Sequence, residues 1–115
     1  MAWPARYFET AQPPDVVAGS VAAVLGAVDR VPPDSIPARG FHGFDHAYSF
    51  NLKGTPGWVL VMEGDGRSKV VLFGIPSALG RSKFVKTLES AVGAVPGAQP
   101  QPFPGRQRAK DLKFG

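Results

Sequence analysis

From Phe44 onward the chain alternates. Phe44, His46, Tyr48, Phe50 and Leu52 fall on one side, and Asp45, Ala47, Ser49, Asn51 and Lys53 on the other. A period of two predicts a half-buried strand over 44–53. Gly54-Thr-Pro-Gly57 reads as a turn and Trp58 to Glu63 as a second strand. Gly64-Asp-Gly66 is a hairpin signal. Lys69 to Phe73 is a third strand, apolar enough on both faces to lie inside a sheet, and Gly74 ends it.

On either side of these strands the period becomes helical. Val17, Val21, Val24, Leu25 and Val28 form one stripe, which predicts a helix from Asp15 to about Arg30. Asp15 is its expected cap, with Pro14 just outside. Its other side is small (Ala18, Gly19, Ala22, Ala23, Gly26, Ala27), and the expectation is close packing inside the same domain. A second helix is predicted from Ser77 or Ser82 to Ala94, with Phe84, Leu88, Ala91, Val92 and Val95 as its apolar stripe. Lys83, Lys86, Glu89 and Ser90 face water, and Pro96 stops it.

The order therefore predicts an α+β fold: an N-terminal helix, a three-stranded antiparallel meander, a C-terminal helix and an extended Pro-rich basic tail. The expected organisation is an aromatic N-terminal lead over 1–14, one small domain over 15–95 and an arm over 96–115. Trp3, Tyr7 and Phe8 in the lead are expected to dock onto the body or a neighbour.

Composition sharpens this. Gly (14) and Pro (12) exceed a fifth of the 115 residues, near the range of low-complexity chains. The prolines gather at 13–14, 32–37 and 96–104 and spare the apolar runs, which is the punctuation of a folded domain with loose ends. Cysteine is absent, so disulfides, thiolate catalysis and zinc–cysteine sites are excluded. That composition fits a reducing compartment. The expected location is intracellular, in the cytoplasm or an organelle matrix such as that of the mitochondrion. The longest uncharged apolar stretch, Val16 to Val28, falls short of the roughly 20 residues a membrane-spanning helix needs.

Charge is segregated. Residues 1–95 are nearly neutral, whereas 96–115 carry Arg106, Arg108, Lys110 and Lys113 against Asp111 alone. Such an arm fits an anionic surface, and Phe103 and Phe114 can anchor it on a partner.

Chemical motifs are sparse. Phe41-His42-Gly43-Phe44-Asp45-His46 contains both histidines, so His42, Asp45 and His46 are the candidate metal ligands. Strand alternation places Asp45 and His46 on opposite faces, which argues for a packed histidine instead. Gly74-Ile-Pro-Ser-Ala-Leu-Gly80-Arg81-Ser82 has the strand-to-helix context of a phosphate loop. It has five residues between the glycines, where a P-loop has four, and Arg where the P-loop has Lys. What survives is a candidate anion site at Arg81, Ser82 and Lys83. No Gly-x-Ser-x-Gly occurs, and no serine pairs visibly with a histidine. Tyr48, Phe50 and Trp58 would stack bases only if the sheet exposed them.

The leading expectation is a non-catalytic accessory subunit, with no cofactor, that docks into a large protein or ribonucleoprotein assembly. Its partners would be other subunits and RNA. The alternatives are a stand-alone RNA- or DNA-binding module using the basic tail, and a small metal-dependent hydrolase using His42, Asp45 and His46.

Overall fold

The computed structural model describes residues 3–36 and 44–101, and its core is one six-stranded sheet. The strands are β1 (Ala5–Thr10), β2 (Asp29–Val31), β3 (His46–Leu52), β4 (Thr55–Gly64), β5 (Arg67–Gly74) and β6 (Gln99–Gln101). The helices are α1 (Pro14–Leu25) and α2 (Arg81–Ala94), and Pro33–Ser35 form one 3-10 turn. The strands lie in the order β2-β3-β4-β5-β1-β6, and every neighbouring pair is antiparallel. It follows that β1 and β2 run in the same direction with three strands between them, and β5 and β6 with β1 between them. The two helices are the crossovers that such parallel pairs require.

This overturns the expected architecture. The fold is a six-stranded antiparallel sheet with two helices, mostly sheet, and not a three-stranded meander flanked by helices. Residues 5–10 are not an extended lead; they form β1, hydrogen-bonded to β5 on one edge and β6 on the other. Part of the expected tail, Gln99–Gln101, is β6. Both segments are too short, and too mixed in character, for periodicity to reveal them. β1 alternates Ala5, Tyr7 and Glu9 with Arg6, Phe8 and Thr10, so it is a strand with one charge on each face. β6 is Gln-Pro-Gln, and its proline is tolerated because it lies on an edge.

The first helix also differs. It ends at Leu25, not Arg30, because Gly26 adopts φ +86° while its N–H donates to Ala22 O. A positive φ at the helix end is a glycine conformation. Pro14 lies inside the helix as its first residue, the N-cap is Pro13, and Asp15 makes no side-chain cap bond.

The three expected strands lie where β3, β4 and β5 run, with one changed turn. The chain reverses at Lys53-Gly54, both with positive φ, and Asn51 Oδ1 accepts from Gly54 N–H at 2.7 Å. Asp65-Gly66 repeats the arrangement. Two residues with positive φ match the twist of the flanking strands. β4 therefore starts at Thr55.

The core has two layers of contacts. On one face of the sheet, Phe8, Tyr48, Phe50, Val59, Val61, Val70 and Leu72 pack against Val17, Val21 and Leu25 of α1 and Phe84, Leu88 and Val92 of α2. On the other face Tyr7, Ala47, Leu60, Val71 and Phe73 cluster with Ile36 and Phe44, and Trp3, Trp58 and Met62 pack on them. The buried hydroxyls at the β1 end are satisfied: Thr10 Oγ1 donates to Pro96 O at 2.8 Å, and Ser68 Oγ to Gln12 O at 2.8 Å.

Two strand glycines are required by close packing. The register sets Phe50 opposite Gly57 and Gly57 opposite Gly74. A Cβ on Gly57 would overlap the Phe50 ring, and one on Gly74 the Phe84 ring. The two rings stack with centroids 6.3 Å apart. Gly57→Ala and Gly74→Ala should each lower unfolding stability by about 1–3 kcal/mol, the usual cost of overpacking. In urea titrations, Gly57→Ala combined with Phe50→Leu should cost less than the two single changes summed, because the smaller side chain relieves the overlap.

Tyr7 supplies a pH test. Its ring is buried, and its hydroxyl donates to Glu9 Oε2 at 2.9 Å. Burial first, then this hydrogen bond, then the carboxylate's charge, hold its ionisation well above the ordinary 10.0. The folded state thus holds the phenol proton more tightly than the unfolded chain. Tyr7's contribution is complete below pH 10 and is lost as the pH rises through the folded value. Urea unfolding above about pH 10 should show the wild type losing stability more steeply than Tyr7→Phe.

Candidate functional site

The polar side chains of β2, β3 and β4 meet at one margin of the sheet. Arg30 stands opposite Tyr48, and His46 opposite Val61, so alternation places Arg30, His46 and Glu63 on the helix-covered face. Arg30 Nη2 lies 2.6 Å from His46 Nδ1, and His46 Nε2 lies 2.5 Å from Glu63 Oε1. The Arg30 guanidinium also sits over the Tyr48 ring, 5.8 Å from its centroid. Asp45 Oδ2 accepts from Glu63 N–H at 2.8 Å and fixes the end of β4. The His46 side chain is 21% exposed and that of Glu63 53%. A pocket of about 350 Å³ opens beside them, lined by Arg30, Pro32, Pro33, Asp45 and His46 among others.

The ring's tautomer follows from its neighbours. Guanidinium only donates, so Nδ1 must be the unprotonated acceptor. Nε2 then carries the hydrogen and donates to Glu63. Both ring nitrogens are therefore engaged, and the lone pair a general base would use points at a permanent cation. No hydroxyl among the described residues hydrogen-bonds the ring. This chain of contacts ties three strands together and balances Arg30 against Glu63.

The other expected site residues are dispersed. Arg81, Ser82 and Lys83 open α2 and are exposed, as is Leu79 (99%) in the loop before them. The Gly80 N–H donates to Ser77 O and lies within reach of Ser77 Oγ, so one donor at this helix start is engaged within its own loop. Asp45 and His46 hold the roles just given. Among the described residues, no group of three or more His, Asp or Glu side chains is placed to hold a metal ion. His42, Phe103, Arg106, Arg108, Lys110, Lys113 and Phe114 lie outside the described residues. Tyr48 and Phe50 are core residues, not an exposed stacking surface.

A second arrangement was invisible to periodicity. On the face away from the helices, the register aligns Asp29, Ser49, Trp58 and Phe73 across β2, β3, β4 and β5. Trp58 stacks on Phe73 with centroids 5.2 Å apart, and Trp3 stacks on Phe73 at 5.9 Å. Past Trp58 the stack stops, because Ser49 is small. A pocket of about 410 Å³ opens at this corner of the sheet, lined by Asp29, Ser49, Asn51 and Trp58 of this face and, around the end of the sheet, by Leu25, Gly26, Ala27, Phe50, Pro56 and Gly57. Only cross-strand pairing could have revealed this row, since its members are remote in sequence.

Comparison with known proteins finds no match for this chain among family models, curated proteins or solved structures. Among the described residues, no helix is long and apolar enough to cross a membrane.

Nitrogen-15 NMR tests the margin directly. Neutral His46 should show the Nε2–H tautomer, with Nδ1 unprotonated, and Arg30→Ala should relax that preference. An Nδ1–H tautomer in the wild type would contradict the Arg30 contact.

Proposed function

We propose that this chain is a non-catalytic docking subunit of a larger assembly and that the outer surface of α1 is one of its contact faces. The observation that supports this is a contrast between two helices in one layer. α2 exposes Arg81, Lys83, Lys86 and Glu89. From Val16 to Val28, α1 and the link after it carry no charged side chain, yet Val16, Gly19, Ala23, Gly26 and Ala27 are exposed. The expectation that these small residues pack inside the domain holds only in part: Ala18 and Ala22 are half-buried, while the others face solvent.

Uncharged surface with short side chains costs little to desolvate and lets a partner's backbone approach closely. The same composition would be unusual on a helix kept only for solubility. The basic arm offers an additional, salt-sensitive contact to RNA or to an acidic subunit.

Gly19 provides a clean test, because a side chain added there meets nothing within 4 Å. Gly19→Ala should raise stability by about 0.5–1 kcal/mol. Gly19→Glu should leave the fold intact but lower incorporation into the native particle at least about tenfold, a cost of ~1.4 kcal/mol for an unpaired charge at a contact. The measurement is sedimentation of the endogenous protein and variants from lysate, with and without nuclease. A large, nuclease-resistant particle for the wild type is the expected result, and collapse with nuclease would place RNA or DNA in the particle. Migration at the size of the single chain would overturn the reading.

A further inference from the structure

We propose that the slot between Trp58 and Asp29 binds a guanidinium group, as carried by an arginine side chain. The slot is the unfilled end of the Trp3–Phe73–Trp58 stack. Phe73 stacks on one side of the Trp58 indole, and in the register Ser49 and then Asp29 follow Trp58 on the side away from Phe73, both lining the same pocket as Trp58. From β4 to β2 is two strand spacings, about 10 Å. A flat group in contact on both sides occupies about 7–8 Å of that. One planar group therefore fits, and it would continue the stack.

The polar groups select its charge. Asp29 is the only ionised side chain lining the pocket. Among the described residues it has no ion pair and its carboxylate no hydrogen bond; the Ser49 hydroxyl is likewise unengaged. Asn51 uses its carbonyl on Gly54 N–H, which leaves its amide for the pocket. The site thus offers an aromatic face, a carboxylate across from it and a hydroxyl at its floor. Guanidinium matches all three: it is flat, stacks on indole, carries the positive charge that answers the Asp29 carboxylate across the slot, and has in-plane N–H groups for the Ser49 hydroxyl. An ammonium would satisfy the charge without the stack, and a neutral nucleobase would leave Asp29 uncompensated.

This inference does not rest on the docking role of α1, since guanidinium binding can be read on the isolated chain. The probes are N-acetyl-arginine methylamide, its lysine counterpart and an arginine-centred tripeptide, titrated into the full chain. The readouts are the Trp58 indole N–H and Ser49 amide resonances. The arginine probe should move both, with an affinity at least about fivefold above that of the lysine probe. Asp29→Asn, at an exposed position, should weaken it about tenfold. Ser49→Leu should fill the slot and abolish the shifts, while an unchanged Trp3 resonance and unfolding midpoint report an intact fold. Tighter binding of the tripeptide would identify a protein segment as the source, and equal binding a small guanidino compound; either supports the site. The proposal fails if Arg and Lys probes bind alike, if Asp29→Asn binds as the wild type does, or if Trp58 does not respond at about 10 mM arginine probe.

Discussion

β4 and β5 are apolar on both faces, and the molecule is arranged around that constraint. Val59, Val61, Val70 and Leu72 point one way, and Leu60, Val71 and Phe73 the other, all fully buried. Each large apolar side chain withdrawn from water is worth roughly 1.5–3 kcal/mol, so neither face can be left wet. α1 and α2 cover one face. The other has no helix among the described residues and is built from Trp3, Tyr7, Ile36, Phe44, Trp58 and Met62. Closing the strand edges matters as much: β1 pairs along β5 from Ala5–Phe73 to Thr10–Ser68, which makes β5 an interior strand.

How much of this was legible depended on whether a segment's own pattern determined its partner. β3, β4 and β5 are joined by two-residue turns, so their alternation and their pairing come from the same stretch of chain. The Phe84–Leu88–Val92 stripe of α2 is equally local. β1 was not legible, because its strand character comes from β5 and β6, which lie about sixty and ninety residues further on. β2 was hidden for a related reason: Val28 continues the apolar stripe of α1, and only the positive φ of Gly26 ends the helix early enough to free Asp29–Val31 for pairing. At the candidate site, alternation set His46 on the side of β3 that carries Tyr48 and Phe50. It could not supply Arg30, whose place beside His46 exists only once β2 has formed.

The two helices show the same division between local and tertiary causes. Their buried stripes are alike in kind, and both pack on the sheet. Their outer faces differ, and nothing in the fold of the single chain requires that difference. Charged residues on α2 cost the core nothing, and charges at Gly19 or Ala23 would cost it equally little. It is this uncharged surface, which folding leaves unconstrained, on which the proposed docking role rests.

β2 joins the polar features of the two faces. It is three residues long, and adjacent residues point to opposite sides, so Arg30 faces His46 and Glu63 while Asp29 faces the row that ends in Trp58. A strand this short, paired on one edge only, is weakly held by its backbone. The Arg30–His46–Glu63 contacts add a side-chain tie across β2, β3 and β4, and the Arg30 guanidinium over Tyr48 adds about 0.5–1 kcal/mol more. Whatever fixes Arg30 also fixes Asp29 one residue away. The Arg30–His46–Glu63 contacts therefore bear on both faces of the sheet: they add to the backbone pairing that holds β2, and with it Asp29, whose register partner across β3 is the Ser49 that stands opposite Trp58.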